Sequence, residues 1–160
     1  MRVVIAAVGK LKSGPERELC DRYIDRAQKA GRSLGFTKIE VREWAESRAA
    51  RTEDRKAEEA AAILAEVSPT AKLILLDEFG ANPGSVAFAD MIAQYRDGGV
   101  QDLVFAIGGP DGHGDALKAR ADKTIAFGAM TWPHQIARIL LAEQIYRMTT
   151  ILSGHPYHRA

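Results

Sequence analysis

Short runs of apolar residues alternate along this chain with longer segments in which apolar positions recur at helical spacing. The runs of strand length are Val3–Val8, Thr37–Trp44, Lys72–Asp77, Leu103–Ile107 and Thr124–Phe127. The helical segments lie near Pro15–Lys29, Thr52–Glu66, Ser85–Arg96, Gly114–Ala121 and Pro133–Leu152. Nearly continuous apolar strands that alternate with helices are typical of a parallel sheet covered on both faces. The pattern therefore predicts an α/β fold with a mostly parallel sheet.

The pattern has no internal repeat and leaves no room for a second unit, so we expect a single domain, 1–160. The only linker-like stretch is Ala45–Arg51, where we expect a mobile loop. Val3–Val8 is too short for the apolar region of an export signal, and no apolar run approaches the ~18 residues of a membrane span. The single cysteine, Cys20, excludes an intramolecular disulfide and is typical of a reducing compartment. We therefore expect a cytoplasmic protein.

Composition narrows the class of partner. Hydrophobic residues make up 46% and charged residues 27% of the chain, as in ordinary globular proteins. The formal charge of +1 excludes a polybasic coat for nucleic acid. Any RNA would therefore be bound through a local patch or a preformed shape.

The last helical segment is apolar on nearly every side. A helix on the outside of a sheet shows one apolar stripe, so this helix must be covered twice. We expect its own sheet on one side and a second copy on the other, with Leu141 and Ile145 in a homodimer interface. A central core helix within a monomer is the alternative. Thr131 is a candidate N-cap, and Glu143 and Arg147 form a candidate i,i+4 pair.

Glycines follow the fourth predicted strand, in Gly108–Gly114. In open α/β sheets, ligands bind beyond the carboxyl ends of the strands, and glycines there let the backbone approach a ligand. The spacing matches neither a dinucleotide fingerprint nor a P-loop, so a tight turn and a ligand cradle stay equally open. If the loop is a cradle, we expect a side chain at Gly109 to block the ligand. Asp77–Glu78 is a candidate further wall of the same pocket.

The chain finishes with His155-Pro156-Tyr157-His158-Arg159, which has little core to join and is typical of a site that uses the tail. The four histidines allow a metal hypothesis, but no His-Glu-x-x-His spacing or cysteine pair supports it, and we expect no metal. No serine lies in a nucleophile-elbow sequence, which disfavours a Ser/His/Asp triad. For His134, a local hydrogen bond at the helix start is the alternative to a role in the site.

Several of these motifs occur together in one known family. The chain carries Val8-Gly9-Lys10-Leu11-Lys12, Ile107-Gly108-Gly109-Pro110, Met130-Thr131-Trp132-Pro133-His134, Leu140–Arg147 and Gly154–Arg159. In this combination and in length it resembles the RlmH (YbeA) family of the SPOUT superfamily, the large-subunit rRNA pseudouridine N3-methyltransferases. The resemblance implies a C-terminal trefoil knot, a homodimer and S-adenosylmethionine as methyl donor. It also implies methylation of 23S rRNA on assembled ribosomes.

Carried over residue by residue, the resemblance implies a cofactor site and a substrate site. The cofactor-binding residues would be Leu76, Gly108, Gly109, Phe127, Gly128, Ala129, Met130, Thr131 and Trp132. The substrate-binding residues would be His134, Arg147 and His155. The family often has Ser-Lys where this chain has Gly128-Ala129, and often an apolar residue at His113, which receives no role.

The chemistry of methyl transfer leaves the tail a role. The N3 proton of pseudouridine must be removed, and His158 or Tyr157 is the candidate base, with Arg159 to hold a phosphate or the developing anion. Two places stay open for the action of the tail: the pocket of its own chain and that of a partner. Two other functions stay open: a flavodoxin-like nucleotide-binding domain, and a non-catalytic ribosome-binding or assembly factor with the same fold.

Overall fold

The computed structural model describes residues 1–159. Its elements in chain order are β1 (Arg2–Val8), α1 (Pro15–Gly31), a 3-10 turn (Arg32–Leu34), β2 (Lys38–Trp44), α2 (Thr52–Leu64), β3 (Lys72–Ala81), α3 (Ser85–Asp97), β4 (Asp102–Ile107), α4 (Asp115–Arg120), β5 (Lys123–Ile125) and α5 (His134–Ser153). The predicted α/β fold is confirmed, and every predicted strand and helix is present.

The five strands form one parallel sheet in the order β2-β1-β4-β3-β5. Alternate residues of β1 enter two separate cores. Val3 and Ile5 pack in the core formed with α1, α3 and α5, whereas Val4 and Ala6 pack in the core formed with α2 and α4. Because both faces are covered, β1 is apolar at nearly every position. All the strands end at the same edge of the sheet.

Strand β3 is longer than predicted, because it continues to Ala81 past a bulge after Leu76. Its far end lies directly on β5: a Cβ at Gly80 would stand 2.6 Å from the backbone carbonyl carbon of Ile125. The extension includes Phe79, whose side chain is 89% exposed. A polar, exposed stretch of this kind has no apolar periodicity, which is why the sequence pattern did not predict it.

Helix α5 packs against α1 and α3 as well as the sheet. Leu141, Ile145 and Met148 are fully buried within a single chain. The expectation that Leu141 and Ile145 lie in a dimer interface is therefore wrong, and the alternative of a core helix describes these positions. The physical reason is that α5 lies between two helices of its own chain, which cover the sides that the pattern assigned to a second copy.

Two predictions about α5 concern its N-cap and an ion pair further along the helix, and they have different outcomes. Its N-cap is Pro133, and Thr131 instead donates a hydrogen bond to the carboxylate of Glu78. The Glu143–Arg147 pair is confirmed, with Arg147 Nη2 2.6 Å from Glu143 Oε1.

Within residues 1–159, no helix is long and apolar enough to cross a membrane. The trefoil knot stays a prediction.

Candidate functional site

A pocket of about 740 Å³ opens at the carboxyl edge of the sheet. Its walls come from the end of β3, the glycine loop after β4, the segment after β5 and the first turn of α5. Eight of the residues assigned to a cofactor line it: Leu76, Gly108, Gly109, Phe127, Gly128, Met130, Thr131 and Trp132. Asp77 and Glu78, the predicted further wall, also line the pocket, as does His134, the candidate site residue. Ala129 is not among the lining residues.

The glycine loop is compact because it folds onto itself and onto the sheet. Gly112 donates its amide to the carbonyl of Gly109 at 3.0 Å and has a φ of 82°, in the left-handed region that favours glycine. A Cβ at Gly108 would lie 3.0 Å from the carbonyl carbon of Gly112. A Cβ at Gly109 would point away from the pocket, 3.1 Å from Val8 Cγ1 and 3.4 Å from Glu59 Oε2. A side chain at Gly109 would thus displace the loop rather than fill the pocket, and the loop is a tight turn and a pocket wall at once.

His113 joins this loop to the end of β3. Its side chain is buried, and Nε2 lies 2.8 Å from the carbonyl oxygen of Leu76. Burial lowers the pKa of His113, so the imidazole is neutral and Nε2–H donates to that carbonyl. The sequence assigned His113 no role, because a lone histidine in a glycine loop carries no signal of its partner.

The opposite wall is apolar and held by backbone contacts. Trp132 donates its indole N–H to the carbonyl of Phe127 at 3.0 Å, and the Gly128 amide donates to Asn82 Oδ1 at 2.9 Å. Met130 is 74% exposed and Trp132 43% exposed, which places them at the rim. The wall offers aromatic faces to a planar ligand group.

Carboxylates outnumber basic side chains around the pocket. Asp77, Glu78 and Asp111 line it, against Lys118 and the imidazole of His134. A hydrogen bond from Arg55, 2.8 Å from Nε to Asp111 Oδ2, lowers the pKa of Asp111 and keeps it ionised. The lining therefore suits a ligand that is partly apolar and carries positive charge.

A buried ion pair fixes the start of α5 against the loop after β1. Arg138 is 2% exposed and donates to Glu43 Oε2 at 2.5 Å and to the carbonyl of Gly9 at 2.8 Å. Burial alone would raise the pKa of Glu43, but hydrogen bonds from Arg138, the Leu11 amide and Arg17 outweigh it and lower the pKa to about 2. Sequence reasoning missed Arg138; the available signal was a charge within the first turns of an apolar helix.

The tail residues do not lie at the pocket of their own chain. Gly154, with a φ of 71°, ends α5, and the chain turns back along the helix. Tyr157 donates its hydroxyl to Glu143 Oε1 at 3.0 Å, and His158 Nδ1 lies 3.3 Å from Arg147 Nη1. At 1.5 Å per residue, Glu143 and Arg147 are about 14 and 20 Å along the helix from His134.

The same contacts set the protonation of the tail. Burial raises the pKa of Tyr157, and the hydrogen bond to Glu143 adds to it, so that the pKa reaches about 12. The ring also lies against Tyr146 and under the guanidinium of Arg147, each 4.8 Å from its centroid. Of the assigned substrate residues, the structure brings His134 to the pocket, whereas Arg147 and His155 lie with the tail. Arg159 is exposed.

Across residues 1–159, no group of three or more His, Cys, Asp or Glu side chains is arranged to hold a metal ion. The four histidines that raised the question are divided between the pocket and the tail. His113 hydrogen-bonds to the carbonyl of Leu76, and His158 Nδ1 lies within hydrogen-bonding distance of Arg147.

Comparison with known proteins adds an independent finding. A family model described as predicted SPOUT methyltransferase matches residues 1–158. A ribosomal RNA large subunit methyltransferase H of Brucella anthropi is 58% identical over 160 residues, covering 100% of both chains. Proteins of the same name are 56% identical in Chelativorans sp., covering 99% of this chain and 91% of the relative, and 55% identical in Rhizobium etli, covering 99% of both.

Proposed function

The chain belongs to the SPOUT methyltransferase family, and we propose that this rRNA methyltransferase transfers a methyl group from S-adenosylmethionine to N3 of a pseudouridine in 23S rRNA on assembled ribosomes. The observation that carries the proposal is the full-length similarity to relatives named as large subunit methyltransferases. The position of the pocket, at the carboxyl edge of a parallel sheet, is where such a site is expected.

The pocket fits S-adenosylmethionine in size and chemistry. Its volume of about 740 Å³ lies in the range of ~300–1,000 Å³ of small-ligand sites. Phe127 and Trp132 offer apolar faces for an adenine, and the carboxylates of Asp77 and Glu78 suit the cationic parts of the molecule. When bound, S-adenosylmethionine supplies a methyl group already activated on a sulfonium, so the protein has chiefly to position and deprotonate the acceptor.

The base must take the N3 proton of the imide, and the tail offers two candidates. Tyr157 is the weaker one, because its pKa of about 12 and its hydrogen bond to Glu143 keep the phenol protonated. We assign the proton to His158, since a neutral imidazole is an effective acceptor near neutral pH. Tyr157 then orients the tail, and Arg159 neutralises a phosphate or the developing anion.

The distance between tail and pocket supports the proposal that two chains make one site. The tail lies about 14–20 Å from His134 of its own chain, too far for proton transfer within that pocket. We therefore place the tail of one subunit at the pocket of its partner in a homodimer. Three exposed apolar side chains line the pocket, Phe79, Met130 and Trp132, and Ile136 is exposed in the first turn of α5. This surface is compatible with cover by a second copy.

The Gly128-Ala129 departure from the family pattern does not favour the alternative of a non-catalytic assembly factor. Gly128 contributes a backbone amide to Asn82, and Ala129 is not among the lining residues. Replacing Ser-Lys by these residues therefore leaves the backbone contacts of the wall in place.

The decisive experiment is mass spectrometry of 23S rRNA from cells that lack this protein, compared with cells that express it again from a plasmid. The proposal expects one methylated pseudouridine to be absent in the first sample and restored in the second. An unchanged methylation pattern would refute it. Calorimetry with S-adenosylhomocysteine tests the pocket separately, and failure to bind would favour the alternative of a non-catalytic assembly factor with the same fold.

A further inference from the structure

The positive charge of this chain is concentrated on two loops. Residues 9–14, after β1, hold Lys10 and Lys12 and no acidic residue, and residues 45–51, after β2, hold Arg48 and Arg51 against the single carboxylate of Glu46. The two loops together carry +3, whereas the whole chain carries +1, so the rest of the chain carries −2. We call the four cations, Lys10, Lys12, Arg48 and Arg51, the basic rim.

The cations of the basic rim have no partner among the residues that the structure describes. All four are exposed, and none takes part in an ion pair, side-chain hydrogen bond or cation–π contact within residues 1–159. Most other lysines and arginines are paired, for example Arg2 with Asp102, Lys72 with Asp122 and Arg147 with Glu143. Unpaired cations keep their full charge available for a partner.

The backbone of the first loop is held rigidly beneath these side chains. Buried Arg138 donates to the carbonyl of Gly9 at 2.8 Å, the amide of Leu11 donates to Glu43 at 2.7 Å, and Arg17 Nε donates to the carbonyl of Leu11 at 2.9 Å. Glu43, the acidic side chain in this network, is thus already hydrogen-bonded to the backbone of the loop. Lys10 and Lys12 therefore extend from a backbone segment that hydrogen bonds hold in place.

The second loop is also anchored by hydrogen bonds to neighbouring elements. Arg55 donates to the carbonyls of Ala49 and Ala50, each at 3.1 Å, and pairs with Asp111 of the glycine loop at 2.8 Å. Ser47 donates to Glu58 of α2. A preorganised loop loses little conformational entropy when its side chains bind a partner.

Both loops border the pocket. They follow β1 and β2, neighbouring parallel strands that end at the same edge of the sheet as β4. A Cβ at Gly9 would lie 3.6 Å from Nε2 of His134, which lines the pocket, and 3.5 Å from Oε1 of Glu46 in the second loop. A partner that lies across the two loops would therefore reach the pocket mouth.

We propose that the basic rim binds the phosphate backbone of the RNA that enters the pocket and fixes its register. The proposal rests on the proposed function and names the surface that holds its substrate. Lysine and arginine beside a catalytic pocket bind phosphates through charge and carry no base specificity, so they position the strand while the pocket reads the base. Such contacts release counterions and make binding dependent on salt.

The test compares two double variants with a matched control on unmethylated ribosomes. Lys10→Gln/Lys12→Gln and Arg48→Gln/Arg51→Gln each remove two charges from the basic rim. Arg22→Gln/Arg32→Gln also removes two exposed charges that have no side-chain partner within residues 1–159. Arg22 lies on α1, and Arg32 lies in the 3-10 turn at the opposite edge of the sheet. The KM for ribosomes should rise about tenfold or more in each rim variant, with kcat and the S-adenosylhomocysteine affinity within about twofold of wild type. The slope of log KM against log salt should fall by about 1.4–1.8.

Equal KM values in rim and control variants would overturn the proposal, as would a raised KM with an unchanged salt slope. Filter binding to deproteinised 23S rRNA separates the partners: rim variants that bind this RNA as wild type does, yet bind ribosomes weakly, would assign the rim to a ribosomal protein and also overturn it. If wild-type protein transfers no methyl group, the proposed function fails, while filter binding still tests the rim by itself.

Discussion

The buried pair of Glu43 and Arg138 allows a quantitative prediction about stability. The change is Glu43→Gln, which keeps the size of the side chain but removes its charge. The pKa of Glu43 is about 2 in the folded chain against 4.5 for an unperturbed glutamate. A lowering of about 2.5 pKa units corresponds to about 3.4 kcal/mol of stability, at ~1.36 kcal/mol per unit.

The sign of the pH dependence follows from the direction of the shift. Because the folded pKa is lowered, the stabilisation is fully present well above pH 4.5 and is lost as the pH falls towards 2. The free energy of unfolding of wild type should exceed that of Glu43→Gln by about 3 kcal/mol near pH 6 and by only about 1.4 kcal/mol at pH 3. Breaking a buried pair from one side costs a similar ~3–5 kcal/mol.

The measurement is urea denaturation of both proteins between pH 3 and pH 7, followed by circular dichroism at one fixed protomer concentration. Asp25→Asn serves as the control, because its i,i+4 pair with Lys29 is exposed and should be worth less than about 1 kcal/mol at every pH. A difference between wild type and Glu43→Gln that is below about 1 kcal/mol near pH 6, or that does not shrink towards pH 3, would refute the reasoning.

Three further predictions concern the site. Deleting residues 155–160 should leave S-adenosylhomocysteine affinity within about twofold of wild type but reduce methyl transfer at least about a hundredfold. If the tail acts across the dimer, mixing this truncated chain with the Gly108→Val chain should restore activity. No activity after proven subunit exchange would contradict the trans arrangement. Gly108→Val alone should lose S-adenosylhomocysteine binding, because its Cβ would lie 3.0 Å from the Gly112 backbone, whereas Gly84→Ala, with open space around it, should bind normally in calorimetry. His113→Phe should weaken S-adenosylhomocysteine binding several-fold, because the hydrogen bond to Leu76 is lost. The lowered pKa of His113 keeps its imidazole neutral, so the affinity of wild type should not change from pH 6.5 to 8 in the same assay. A change of affinity in that range would count against a neutral His113.

The alternation of apolar strands and helices was sufficient to predict the fold class, because it depends on local spacing alone. A strand such as β1 that is buried on both faces must be apolar throughout, and this can be read without knowing its neighbours. The glycine loop could likewise be placed at the carboxyl edge, since its residues directly follow β4. The resemblance of the C-terminal motifs supplied the family, which composition and spacing could not.

Other features depend on residues that are distant in sequence. Arg138 meets Glu43 and the carbonyl of Gly9 only because α5 returns across the sheet beside β1, and a single charge in an apolar helix does not reveal its partner. For the same reason the pattern assigned Leu141 and Ile145 to a second copy: apolarity records that a side chain is covered, not by which element.

The position of the tail was also decided by tertiary structure. The sequence indicated that His158, Tyr157 and Arg159 have chemistry to perform but not where they lie. The contacts of Tyr157 with Glu143 and of His158 with Arg147 place these two residues several helical turns from the pocket of the same chain. Local sequence determines which elements form and which side chains carry chemistry, whereas long-range packing determines which of those side chains can meet.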